Sequence, residues 1–297
     1  MNLVFSKNKP HWPTDSEVQV GLHELLGHGS GKLFYRRNDG TFNFDPDNVK
    51  DLATGEKITS WYEHGETWSS KFHRLASAYE ECRAEAVGYF LCCYDDVLKI
   101  FDHEGEEARD IKYVNWLSEM RAGIVSLEMY QPDKNAWGQA HCQARHMLLR
   151  VCLQAGQHFI QIEQCTNEKD AKADLKFSMC EAKIDTVGKP AIFEFLKLLQ
   201  LYKSTGDYER GAALVAKYGD LDDHWLRVRD IVVDRRQPRR LNVQPNTRPQ
   251  PDGSVELVEY PATPEGLIES HVARFKGDDS LWADMLSIAD RDKQHWP

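Results

Sequence analysis

The residues of this sequence best suited to chemistry lie close together near its start, at His23, Glu24 and His28. Two histidines and a glutamate on one helix are typical of a site at which zinc activates water for hydrolysis. In such sites the histidines are four positions apart, so both imidazoles lie on one helix face. Here they are five positions apart, in the segment H-E-L-L-G-H. The spacing therefore requires a local change in helix geometry if both rings are to reach one ion.

The extra residue between the two histidines predicts a bulge in the helix. On a regular α-helix, a step of five residues rotates a side chain by about 140°, against about 40° for a step of four. A single π-turn would absorb the extra residue, and such turns are frequent at functional sites. Gly27 directly precedes His28 and lowers the steric cost of the distortion. The alternative interpretation is a helix end that carries two surface histidines.

A second group of potential ligands lies in a predicted helix about fifty residues later. Two histidines and a water leave tetrahedral zinc one protein ligand short. Glu81 and Glu85 are four positions apart and share a helix face, and Glu80 lies one step around. Three neighbouring carboxylates often form a solvated face, but Ala78 and Ala84 permit close helix approach and the flanking apolar residues indicate burial. Buried carboxylates need a metal or a charged partner.

Taken together, the two motifs resemble those of the dipeptidyl peptidase III family of zinc exopeptidases. The matching segments are H-E-L-L-G-H at 23–28 and E-E-C-R-A-E at 80–85. The likeness continues through residues 138–145 and 243–247, so it extends over essentially the whole chain. The resemblance implies a zinc-binding lobe that is mainly helical.

The resemblance also implies a role for each residue of the two motifs. Glu24 would activate the water, while Glu80 and Glu85 would be partners of the histidines that fix their tautomers and raise their basicity. One zinc ion is the implied cofactor, and its implied ligands are His23, His28 and Glu81.

Two further positions have roles implied by the family. His141 would stabilise the oxyanion of the tetrahedral intermediate, and Arg145, one helical turn later, would face the same cleft. Without the family, His141 would be interpreted as an interior histidine with satisfied hydrogen bonds.

An arginine cluster is the third candidate contact with substrate. The family places a substrate-contacting arginine in this region, and a guanidinium suits the bidentate recognition of a peptide carboxylate. Arg239 is the first choice and Arg240 the alternate, within a cluster that also contains Arg235 and Arg236. The alternative is a solvated loop or a set of ion pairs with an acidic surface.

The likeness covers only part of a typical family member, and this affects the predicted function. Family members are longer and have two lobes, so residues 1–297 are expected to form the catalytic zinc lobe, with the N-terminal lobe that completes the cleft absent. The predicted function is a zinc-dependent dipeptidyl peptidase that releases dipeptides from the N-terminus of short peptides. The alternative is a non-catalytic or weakly active zinc-stabilised helical fragment that binds peptides or proteins. An endopeptidase of the wider glutamate-zincin group is disfavoured by the five-residue spacing.

Net charge, hydrophobic pattern and cysteine content argue against several classes of protein and indicate a cell compartment. The net charge of −10 argues against nucleic-acid binding. No segment approaches the roughly 20 apolar residues that a membrane span needs, and no signal peptide is recognisable. The seven cysteines are odd in number and form no C-x-x-C pair, which favours free thiols in a reducing compartment. The expected location is cytoplasmic.

Hydrophobic periodicity and helix-end signals predict a mainly α fold with one small β element. Thr67 is the predicted N-cap of the helix that carries the carboxylates, and residues 31–66 form a long irregular excursion. Residues 241–260 change to strand character around a turn rich in Pro, Gly and Asn. The predicted helices span about 15–29, 68–100, 105–130, 136–165, 188–204, 207–218, 222–234, 264–276 and 279–290.

Overall fold

The computed structural model describes residues 2–3, 12–236, 241–275 and 279–293, and the chain forms two compact units, Met1–Arg236 and Gln237–Pro297. The fold is mainly α, as predicted. The helices are α1 (Trp12–Leu22), α2 (Trp68–Phe72), α3 (Ala76–Leu91), α4 (Asp95–Ile100), α5 (Gly105–Val125), α6 (Ala140–Gln154), α7 (Lys189–Thr205), α8 (Tyr208–Gly219), α9 (Asp223–Asp234), α10 (Pro264–Phe275) and α11 (Asp279–Asp292). The strands are β1 (Asn2–Leu3), β2 (Tyr130–Gln131), β3 (Ala136–Trp137), β4 (Ile160–Thr166), β5 (Ala173–Met179), β6 (Asn246–Pro249) and β7 (Val255–Val258).

Helix α3 forms the centre of the first unit, because small side chains let other helices approach it closely. It contacts α1, α6 and α7, and α5 packs in turn on α1 and α6. Ala78, Ala84 and Ala86 are all buried, as is Glu85. The prediction that the carboxylate-bearing helix is buried is therefore confirmed.

The predicted helix over 68–100 is broken into segments. Thr67 does cap α2 through a capping box with Ser70, as predicted for the N-cap. The chain then breaks at His73, whose φ is 49°. A second break follows α3, and α4 starts afresh at Asp95 and Asp96, whose carboxylates favour a helix N-terminus.

The predicted helix over 136–165 was wrong in its second half. Helix α6 ends at Gln154, and Gly156 follows with a φ of 69° that suits glycine at a helix C-terminus. The chain then forms an antiparallel hairpin in which Ile162 pairs with Phe177, and β1 adds to β5 in parallel. Leu175 and Phe177 are buried, and Lys176 between them is exposed, which is the alternation of a strand with one buried face.

The irregular excursion over 31–66 is confirmed. Its backbone is tied to the helices through Phe34 N, which donates to Ser204 O, and Tyr62 OH, which donates to Lys203 O. Phe42, Phe44 and Trp61 pack with Phe34 in a local aromatic cluster. No helix among the described residues combines the length and the apolar character that a membrane span requires.

The second unit confirms the predicted β element. Strands β6 and β7 pair antiparallel within the predicted range 241–260, with Thr247 opposite Leu257. Helices α10 and α11 follow within two residues of their predicted bounds.

Candidate metal centre

The two histidines of the first motif are brought to one face by a π-helix. Helix α1 changes at His23 into a π-helical segment, His23–His28, which we call the π-turn. It absorbs the extra residue, as the spacing predicts. The ring centroids of His23 and His28 are 4.7 Å apart, with the ring planes at 85°. Both imidazoles therefore face the same point.

Glycine allows the π-turn to pack directly on α3. A Cβ at Gly27 would lie 2.8 Å from both Cα and Cβ of Ala84. This close approach places the π-turn against the part of α3 that carries the carboxylates. It depends on the lack of a side chain at Gly27 and on the small side chain of Ala84.

Glu81 lies between the two imidazoles. Its Oε2 is 3.2 Å from His23 Nε2 and 3.5 Å from His28 Nε2. Ligand atoms from these three residues all lie within 4.8 Å of one another. Two ligand atoms about 2.1 Å from a tetrahedral ion are about 3.4 Å apart, so the two contacts have the separation that a zinc site requires.

The hydrogen bonding of Glu81 also fits a cation. Its Oε2 is buried and has no hydrogen-bond partner among the described residues. A buried, unpartnered carboxylate oxygen is costly unless a cation satisfies it. With two imidazoles and one carboxylate, the donor set matches the protein ligands of catalytic zinc sites. The residues present therefore fit the ion that the motif implies.

The remaining two carboxylates contact the other ring nitrogens. Glu80 Oε1 is 3.2 Å from His28 Nδ1, and Glu85 Oε2 is 3.5 Å from His23 Nδ1. Each histidine thus has Nε2 beside Glu81 and Nδ1 beside a separate carboxylate. This arrangement favours the tautomer that leaves Nε2 free to bind a metal.

The charges of the cluster shift several pKa values. Burial alone would lower the pKa of His23, but the hydrogen bond with Glu85 and the surrounding carboxylates raise it above its usual range. Contact with Glu85 raises the pKa of His141. Burial of Glu85 is outweighed by His141, His23 and Arg145, so its pKa lies well below the usual range. The carboxylates of the cluster therefore favour positive charge at the position of the two histidines, and Glu85 stays ionised.

A cavity of about 250 Å³ opens beside the cluster. His23, Glu24, His141 and Arg145 are among the residues that line it. Glu24 is exposed and follows His23 directly, so its carboxylate can reach solvent in the cavity. The structure thus places both predicted catalytic residues on the cavity that the candidate ligand His23 also lines.

His141 and Arg145 occupy one face of α6 that points at the motif carboxylates. His141 Nδ1 lies 3.3 Å from Glu81 Oε2, and its side chain is 39% exposed. Arg145 donates from Nε to Glu85 Oε1 at 3.2 Å and pairs with Glu119 at 3.1 Å. Arg145 is therefore held in place by carboxylates on both sides.

The arginine cluster is only partly described. Arg239 and Arg240 lie outside the described residues. Arg235 forms two hydrogen bonds with Asp170, and Arg236 pairs with Glu128 at 3.2 Å. These two arginines thus form the ion pairs with acidic residues that were the alternative interpretation of the cluster.

Four residues that support the cluster were not predicted from the sequence. Gln19 donates to Glu85 Oε2 at 2.9 Å, and its position four residues before His23 was a usable signal. Arg83 and Lys203 bind Glu80, and Glu119 pairs with Arg145. Arg83 lies three residues after Glu80 within the second motif, but Lys203 is distant in sequence and leaves no local signal.

Comparisons with known proteins identify the family to which the chain belongs. The sequence matches the family model described as Peptidase family M49 over residues 6–275. It is 53% identical over 274 residues to dipeptidyl peptidase 3 of Nematostella vectensis, covering 91% of this chain and 37% of that protein. It is 48% identical over 285 residues to human dipeptidyl peptidase 3, covering 94% of this chain and 38% of that protein.

A solved structure of DPP III from Caldithrix abyssi is also similar, at 16% identity and a TM-score of 0.45, covering 73% of this chain and 32% of that one. The chain spans well under half the length of the curated relatives it matches. The resemblance noted in the two motifs is confirmed by the family model and by these relatives. The chain belongs to peptidase family M49.

Proposed function

We propose that this chain carries the zinc centre of a dipeptidyl peptidase that releases dipeptides from the N-terminus of short peptides. The observation that carries the proposal is the convergence of His23, His28 and Glu81, which the π-turn makes possible. Glu81 Oε2 is buried and lacks a hydrogen-bond partner among the described residues, which supports a bound cation at that point. The M49 relatives, both of which are named dipeptidyl peptidase 3, support the reaction type.

The three converging residues would hold one zinc ion. When bound, zinc polarises the scissile carbonyl and lowers the pKa of a bound water toward about 7. Glu80 and Glu85 would accept from the Nδ1 groups of the histidines and keep Nε2 directed inward. Iron can occupy a similar two-histidine, one-carboxylate set, but the peptidase family favours zinc, which has no redox chemistry.

Proton transfer is assigned to Glu24. Its carboxylate lines the cavity beside His23, so it can take a proton from water there and later give it to the leaving amine. His141, whose ring faces the same cavity, would donate a hydrogen bond to the oxyanion that forms on the carbonyl. Arg145, fixed by Glu85 and Glu119, would contact the peptide. Arg239 or Arg240 would bind the peptide carboxylate.

The cell compartment is part of the proposal. All seven cysteines are free, and four of them are buried in the helical core. Free thiols of this number are typical of proteins in a reducing compartment, which supports a cytoplasmic location.

The reaction is tested with the full-length product of the gene that encodes this chain. It is incubated with dipeptidyl-arylamides, with single-aminoacyl arylamides and with an N-terminally blocked peptide. The proposal predicts release of arylamine from the dipeptidyl substrates alone, loss of activity on chelation, and recovery on adding zinc. Cleavage of the blocked peptide at an internal bond would instead support an endopeptidase, and full activity after complete metal removal would refute the metal mechanism.

A further inference from the structure

The three carboxylates of the second motif have very different surroundings, although they lie within six residues. Glu81 Oε2 has no hydrogen-bond partner among the described residues. Glu85 accepts from Gln19 and Arg145. Glu80 is bound by two cationic side chains. The sequence alone gives no reason why one of three adjacent glutamates should be available to a metal and the others not.

Arg83 and Lys203 together bind both oxygens of Glu80. Arg83 Nη2 donates to Oε1 at 2.6 Å, and Arg83 Nε donates to Oε2 at 3.0 Å. Lys203 Nζ, from helix α7, donates to Oε2 at 2.6 Å. Charge-assisted hydrogen bonds of this length are among the strongest that proteins make. Any movement of Glu80 toward a metal ion would have to break them.

Arg83 also holds the backbone of the π-turn. The same Nη2 donates to Gly27 O at 2.5 Å, and Nη1 donates to Ser30 Oγ at 3.2 Å. The Arg83 side chain is wholly buried. One guanidinium group therefore contacts both the carbonyl just before His28 and the carboxylate beside the His28 ring. Arg83 acts on His28 through these two groups.

We propose that Arg83 and Lys203 are positioning residues that hold Glu80 against His28 and thereby reserve Glu81 for the metal. The inference rests on the proposed function, since it concerns how the chain selects the ligands of that zinc ion. Without the two cations, Glu80 would be held only by its contact with His28 Nδ1. It would then be free to turn toward the ion and add a second carboxylate ligand. The site would then lose the open position that a substrate carbonyl and a water need.

A purely structural role for Arg83 predicts a different outcome. Buried ion pairs frequently matter for stability alone, because removing one partner leaves an uncompensated charge. Such a role would lower the stability of the fold without altering how a bound ion is coordinated. The positioning role alters the coordination itself. A spectroscopic probe of the bound ion separates the two.

The experiment uses the 297-residue chain loaded with cobalt(II), whose visible absorption weakens as its coordination number rises. Arg83→Met and Lys203→Met are compared with wild type and with Arg210→Met, a control arginine that pairs with Asp51 and Asp207. Zinc affinity is measured in parallel by competition with a chromophoric chelator. We expect weaker, shifted absorption in both test variants and the wild-type spectrum in Arg210→Met. The affinity measurement establishes that each variant is loaded with the ion.

A double variant identifies the carboxylate responsible. Glu80→Gln in the Arg83→Met background should return the cobalt absorption to the wild-type intensity, because the released ligand has been removed. Should Arg83→Met fail to fold, Lys203→Met with and without Glu80→Gln makes the same comparison.

Two outcomes would overturn the inference and are distinguishable from each other. If both test variants absorb as wild type does, the metal site is retained but Arg83 and Lys203 have no positioning role. If the wild-type chain binds neither cobalt nor zinc, both the proposed function and the positioning role are refuted.

Discussion

Adding one methyl group at Gly27 should disturb the metal centre without touching any ligand. In Gly27→Ala the new Cβ would lie 2.8 Å from Cα and Cβ of Ala84 and 3.0 Å from its carbonyl oxygen. Two of these three atoms belong to the backbone of α3, so no side-chain rotation can relieve the contact. The π-turn and α3 must move apart.

The required movement is larger than the variation in metal–ligand distance that a metal site tolerates. The contact at 2.8 Å is about 0.6 Å shorter than the 3.4 Å at which ordinary van der Waals contact begins. Metal–ligand distances are fixed to within about 0.2 Å, so His28 and Glu81 could not both keep their places. We expect zinc affinity to fall at least tenfold, about the effect of losing an outer partner. Overpacking should cost about 1–3 kcal/mol of stability, offset in part by about 0.5–1 kcal/mol for replacing a helical glycine.

The assay is competition for zinc with a chromophoric chelator, accompanied by urea unfolding of the metal-free chain. Gly21→Ala on the same helix is the matched control. Its new Cβ would lie 2.9 Å from the Phe101 ring, a side chain that can rotate away. The control should therefore bind zinc nearly as wild type does. Equal zinc affinity in Gly27→Ala, Gly21→Ala and wild type would refute the argument that close packing of the π-turn on α3 sets the site.

Three further predictions concern chemistry, acid stability and the extent of the chain. Glu24→Gln should retain zinc and, in the full-length gene product, lower the rate by about 10²–10⁴-fold, the usual contribution of a general base; near-normal turnover would exclude Glu24. Burial lowers the pKa of His146 to about 3, so only the unfolded chain gains this proton as pH falls below about 6.5. Urea unfolding should then show wild type losing about 2 kcal/mol more stability than His146→Leu between pH 7 and pH 5, and parallel losses would contradict this. Residues 1–297 alone should bind zinc but cleave dipeptidyl-arylamides slowly, because the chain spans only 37% of the Nematostella relative, and turnover equal to that of the full-length product would contradict this.

The metal motifs were predictable because their geometry is local. A separation of five positions from His23 to His28 leaves few ways for both rings to reach one ion, and the observed π-turn is one of them. The spacing of Glu81 and Glu85 likewise fixed a shared helix face. Their contacts with His23 follow once α1 packs on α3, which Gly27 and the alanines of α3 allow.

Other parts of the fold depend on contacts between residues distant in sequence, which hydrophobic periodicity does not predict. The segment that begins at Ile160 continued an apolar pattern from α6, and its identity as a strand depends on pairing with the strand that contains Phe177. Gly156 was the local signal that the helix had ended. The break at His73 has no glycine or proline to mark it. Lys203 reaches Glu80 from 123 positions away, so only the packing of α7 on α3 reveals that contact.

Two separated motifs together should hold one zinc ion, through His23, His28 and Glu81. The most direct measurement is the zinc content of purified wild-type chain and of the His23→Ala/Glu81→Ala double variant, by elemental analysis after dialysis against a weak chelator. We expect one zinc per wild-type chain and essentially none in a double variant that circular dichroism shows to be folded. One zinc per chain retained by that double variant would contradict this expectation.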